Sequence, residues 1–247
     1  MNSQRSLAVL AIVGAVVGGA IGPSAVFAET ATRPCNPMDE QNVYDIRIAR
    51  TTSSLMVDVK QAERLHFEHL EADFRSGEAT RNPRTMWSEL EYMVRRYPNH
   101  IGALSMLDRL SALLKTDEFR GAMNSVDCHF QRAIAFVPDD ADVRTVYGIY
   151  LLKRNRLDDG IAQLHEAERM RPNSGNVQYN LGLAYVSKKD LDRAREHAIR
   201  AYRMGFGLPG LKEKLRSAGR WGAEEESAIR PPAGGQVQQD PVGAKGG

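Results

Sequence analysis

The chain has 247 residues, enough for one or two domains with a sizeable core. Its 33 Lys and Arg against 31 Asp and Glu give a formal net charge of +2, and aromatics make up 7%. That balance is not the footprint of a nucleic-acid binder, and nothing reads as a stacking platform for bases.

Residues 1–28 have the layout of a secretory signal peptide. Met1–Ser6 carries Arg5, and Leu7–Ile21 is an apolar run rich in Ala, Val and Gly. Gly22-Pro23-Ser24 breaks a helix, and Val26 and Ala28 are small residues before a cleavage point after Ala28. The run is short of the roughly 20 residues that span a bilayer. The expectation is therefore a periplasmic or secreted chain with no membrane span after cleavage. In an oxidising compartment the two cysteines, 93 residues apart, favour a disulfide, Cys35–Cys128, over a metal or redox site. Two unpaired thiols are the alternative.

Glu29–Ser54 shows no clean period, so residues 29–58 read as an irregular N-terminal arm. Val59–Arg75 spaces Ala62, Leu65, Phe67, Leu70 and Phe74 as a helix would. Helical spacing returns in Thr85–Tyr97, Ile101–Leu114 and Phe119–Phe136, with prolines at 98 and 138 closing the second helices. Residues 59–138 thus read as degenerate helical repeats. Pro98 to Pro138 is 40 residues, six more than the period seen downstream, which asks for a longer turn near Lys115–Asp117 or a longer second helix.

Residues 139–208 repeat themselves. Shifting Ala141–Ser174 by 34 places Gly148 on Gly182, Leu151 on Tyr185, Leu157 on Leu191, Gly160 on Ala194 and Ala167 on Ala201. Small residues on the first helix of each unit face bulky ones on the second, and Arg154-Asn155-Arg156 and Lys188-Lys189-Asp190 make the short polar turns. Pro209 opens a capping helix, 209–221, with Leu211 and Leu215 apolar. Residues 222–247 read as a disordered tail, with Glu224-Glu225-Glu226 as a solvated charge run.

The 34-residue period and the run "YNLGLAYV" at Tyr179–Val186 resemble the tetratricopeptide repeat family over residues 141–206. "YPNHIGAL" at Tyr97–Leu104, "CHFQRAI" at Cys128–Ile134 and "GFGLPGLKEKL" at Gly205–Leu215 resemble a largely uncharacterised group of exported tetratricopeptide proteins of proteobacteria. The resemblance implies an all-α fold, a right-handed solenoid of antiparallel helix pairs, in which residues 139–208 hold two units. In that group a cysteine before the repeats and one at the place of Cys128 recur, which favours the disulfide. The family also places Asp142, Thr145, Ile149, Leu152 and Lys153, then Asn176, Tyr179, Leu183, Val186 and Ser187, on the concave face. Asn180 falls where the family often bonds a peptide backbone.

No residue pattern points to catalysis. His66 and His69 with Glu63 could approach a zinc ion, but the HExxH spacing is absent and no third ligand is assignable. His100, after a Pro-Asn turn, reads as a helix cap. There is no GxSxG, GxxxxGK[ST] or GxGxxG run. Catalytic residues, metal, cofactor and small-molecule substrate are therefore not expected. The function expected is a periplasmic interaction module or scaffold that takes a peptide or helix of a protein partner in its concave groove. The alternative is a structural or stability factor whose groove is filled by its own chain.

Overall fold

The computed structural model describes Cys35 and residues 43–229, all within the unit Arg33–Gly247. The described residues form thirteen α-helices and no strand, stacked as a helical solenoid.

Three helix-to-helix junctions share one geometry. They follow α5 (Pro83–Arg96), α7 (Val126–Phe136) and α9 (Leu157–Met170). The residue before each proline leaves the helix with φ/ψ of −130/80° at Tyr97, −130/80° at Val137 and −137/76° at Arg171. Proline's ring disfavours helical backbone at the preceding residue, so each helix must stop there. Two residues past the proline, a side chain caps the next helix. His100 Nδ1, Asp140 Oδ1 and Ser174 Oγ accept from the backbone N–H groups of Ala103, Val143 and Val177. These caps open α6 (Ile101–Leu114), α8 (Ala141–Lys153) and α10 (Gly175–Ser187).

The far ends of α6, α8 and α10 also match. Lys115, Asn155 and Lys189 take the left-handed conformation, with φ of 54°, 60° and 63°. The next N–H then closes back onto the helix: Thr116 to Ser111, Arg156 to Leu151, Asp190 to Tyr185. Each left-handed residue lies 17 positions after its unit's proline. The six extra residues of the first of these units therefore lie beyond Lys115, in the turn at 116–125. α7 is shorter than α9, 11 residues against 14, so the extra length is not in the second helix.

Close approach of backbones holds the regular pairs α8–α9 and α10–α11 (Leu191–Arg203). A Cβ on Gly148 would lie 2.7 Å from Leu164 Cγ and 3.0 Å from the Gly160 carbonyl oxygen. Ala194, Ala198 and Ala201 are fully buried. Large apolar side chains fill what remains in two clusters, one spanning the N-terminal helices through α8 and one the C-terminal helices.

Three expectations are corrected. The arm at 29–58 is not irregular throughout: it holds α1 (Ile46–Ala49) and the start of α2 (Ser53–His66), whose Val59 and Ala62 are buried. The helix expected at 59–75 breaks after His66, where Phe67 leaves helical φ/ψ, and resumes as α3 (Leu70–Ser76), followed by α4 (Glu78–Arg81). After α12 (Gly210–Ser217) the chain forms α13 (Ala223–Ala228) inside the expected disordered tail. Glu225 is buried there, bonded to Arg195 at 2.7 Å and to the Gly222 N–H, so it is not a solvated charge. α12 starts 35 residues after α10, and α13 starts 32 after α11, so together they make a shortened third unit. Residues 1–34, 36–42 and 230–247, with the expected signal peptide and most of the expected tail, lie outside the described residues.

Candidate functional site

The residues assigned to the concave groove are mostly engaged within the chain. Tyr179 is 7% exposed. Its ring packs on Phe206 at 4.6 Å, its hydroxyl accepts from the Leu211 N–H, and the first residues of α12 lie against it. Burial raises its pKa, as expected for a phenol withdrawn from water. Asn180, also buried, donates to the side chain and backbone oxygens of Asn176 at 2.8 and 2.9 Å. Thr145 is 3% exposed and donates to the Ala141 carbonyl. Lys153 reaches buried Asp108 on α6 at 2.7 Å, beside Arg154. Leu152, Leu183 and Val186 pack against the C-terminal core, and Asp142 pairs with Arg171. Ile149 is half-buried and Ser187 exposed. Of these positions Thr145, Tyr179 and Asn180 are buried, Lys153 and Ser187 are exposed, and the rest are half-buried. Phe206 and the start of α12 cover Tyr179, whereas Lys153 leans to Asp108 of α6 with its own side chain 52% exposed.

Buried polar groups cluster instead in the N-terminal half. Asn99 Oδ1 accepts from the Ile46 N–H, and its amide nitrogen donates to Asp45 and to Asp140 at 2.8 and 3.0 Å. One side chain so joins α1, the first junction and the cap of α8. His100 accepts at Nδ1, so its Nε2 carries the proton and donates to Glu63 at 3.1 Å. That bond, with Arg50 and against the cost of burial, holds Glu63 down at about 2. Burial pushes buried Glu91 up, but His129 and the N–H groups of Met123 and Asn124 outweigh it and leave its pKa lowered. Glu91 thereby fastens the long turn to α5. The structure also joins Cys35 to Cys128 in a disulfide, with Cα atoms 5.5 Å apart.

The two histidines and the carboxylate weighed for zinc are spread over separate tasks. His66 pairs with Glu89, and His69 lies 3.7 Å from Asp73, while Glu63 serves Arg50 and His100. Among the described residues no group of three or more His, Cys, Asp or Glu is placed to hold a metal ion. Between the regular units runs a chain of hydrogen bonds. Tyr185 hydroxyl meets His165 Nε2, His165 Nδ1 meets Glu168, Gln178 bridges Glu168 to His197 Nδ1, and Arg200 faces His197 Nε2. Burial, reinforced by Arg200, lowers His197 to about 4, so it stays neutral. Sequence reasoning weighed Glu63 only as a zinc ligand and missed Asn99 and Glu91. Only Asn99, inside a Pro-Asn turn, had a signal that could have found it.

No family model and no curated protein matches the chain. Solved structures do resemble it. "MamA MSR-1 C2" is 20% identical with a TM-score of 0.38, covering 59% of this chain and 73% of that one. "MamA RS-1 ArsTM double mutant" is 19% identical, TM-score 0.41, covering 70% and 85%. "Crystal structure of MamA" is 17% identical, TM-score 0.38, covering 72% and 99%. The chain is a tetratricopeptide-like helical-repeat protein similar to these at the level of fold. The expectation of a periplasmic or secreted module with an open peptide groove is corrected. The solved structures that resemble the chain are those of MamA. Tyr179 and Asn180, at the centre of the expected groove, are buried within the chain, and the segment that argued for export lies outside the described residues. No helix among the described residues is long and apolar enough to cross a membrane.

Proposed function

We propose that this protein is a non-catalytic structural repeat protein whose concave face is filled by its own chain. The observation that carries the reading is Tyr179, the aromatic centre of the expected groove, buried under Phe206 and the start of α12. A side chain in that position stabilises the fold and cannot also receive a ligand. Asn180 supports the reading, because the amide that would bond a foreign backbone is used on Asn176.

Unfolding of Tyr179→Ala in urea tests it. Removing a buried aromatic side chain costs about 3–5 kcal/mol. A midpoint equal to that of the unsubstituted chain would mean that Tyr179 faces an open groove, and the reading would fail.

A further inference from the structure

At the N-terminal end of the array, α2 and α5 bound a cleft of about 220 Å³. It is smaller than the roughly 300–1,000 Å³ of sites that enclose a small molecule. One long side chain is the occupant of matching size. Asp58, Gln61 and Leu65 lie along one stripe of α2, at spacings of three and four residues. Tyr92 and Arg96 face them from one turn of α5, with His66 between.

The charges in the cleft are unequally committed. His66 is held by Glu89. The Arg96 guanidinium lies over the Tyr44 ring, 4.5 Å from its centroid, and hydrogen-bonds the Tyr97 side chain. Asp58 forms no ion pair among the described residues. Beside it, Tyr92 is 43% exposed, and its ring meets His66 at 4.2 Å in a tilted contact. Leu65 is 52% exposed at the rim.

A carboxylate without an ion pair among the described residues, a part-exposed aromatic ring and an exposed aliphatic side chain have one common complement. It is a planar cation on an apolar stem. We propose that the cleft between α2 and α5 binds an arginine side chain of a partner polypeptide. Its guanidinium would bond Asp58 in bidentate fashion and stack on Tyr92, and its methylenes would lie along Leu65. Lysine offers a point charge without a plane and fits less well. The proposal does not depend on what fills the concave face, since none of these residues belongs to it.

The test is an amide-shift titration of the full ¹⁵N-labelled chain with the tripeptide acetyl-Gly-Arg-Gly-amide. Saturable shifts confined to residues 58–66 and 92–97 are expected. The same peptide with neutral citrulline in place of arginine should produce none. Asp58→Asn and Tyr92→Ala should each weaken binding about tenfold. Both positions are exposed, so circular dichroism should report an unchanged fold. Absence of saturable shifts, equal binding of the citrulline or lysine peptide, or undiminished binding by Asp58→Asn would each overturn the proposal.

Discussion

In α8–α11 the helix pairs meet through glycine and alanine, Gly148 on Gly160 and Gly182 beside Ala194, and a single hydrogen-bonded chain from Tyr185 to Arg200 crosses them. In α1–α7 the contacts run through Asn99, Glu63, Glu91 and a disulfide, and the turn at 116–125 interrupts the period. The first region is fastened by shape and the second by directional bonds. Where the backbones can approach closely, dispersion and burial act along the whole contact. Where the repeat has decayed, buried carboxylates and amides set the register, because each must find its specific partners or remain unsatisfied.

The largest break in this comparison is expected from the disulfide. It closes a 93-residue loop, worth about 4–5 kcal/mol in the chain-entropy model. Cys128→Ser should lower stability by that order under oxidising conditions, and adding reductant should then change nothing further. A reductant-dependent loss in the variant would contradict it. The regular half is broken by size. Gly148→Val must displace Leu164 and the Gly160 carbonyl, so a loss of about 3 kcal/mol is expected in urea unfolding. A valine at exposed Ser217, the last residue of α12, should cost almost nothing.

The smallest effect sharpens the comparison through acid. The unfolded His197 takes up a proton near pH 6.5, but in the fold burial and Arg200 hold its pKa at about 4. Between those values the unfolded state binds more protons, so stability falls as pH drops from 6.5 to 4. Glu63 works lower. Its folded pKa of about 2 against 4.5 unfolded gives stability that is present above 4.5 and lost as pH falls toward 2. The bare shifts correspond to about 3 kcal/mol each, which solvent screening reduces to about 2 kcal/mol. His197→Gln should remove only the upper window and Glu63→Gln only the lower, read as urea midpoints across pH. Loss of both windows in either variant would show that the two halves titrate as one.

The 34-residue shift was legible because close packing leaves its mark on residue type: only glycine or alanine fits at 148, 182 and 194. The junctions were legible for a similar reason, since proline stops a helix wherever it stands. The concave face was not. Family positions name a face only when a full unit follows, and at Tyr179 the next first helix is α12 itself. α13 was illegible because Glu225 and Glu226 look like solvated charge until Arg195, Trp221 and Lys212 are seen around them. Glu91 reads as one more polar residue of an amphipathic helix. Its role depends on a turn more than thirty residues away.

Lys115, Asn155 and Lys189 seal the first helix of their units before the turn begins. Whatever follows the seal is then mechanically uncoupled from the helix behind it. The chain has used that freedom once, between Lys115 and α7. Lengthening a flexible loop is cheap, about 0.6 kcal/mol for each doubling. The turns after Asn155 and Lys189 are accordingly the natural graft points of this scaffold, where a foreign segment could be spliced in without shifting the stack on either side.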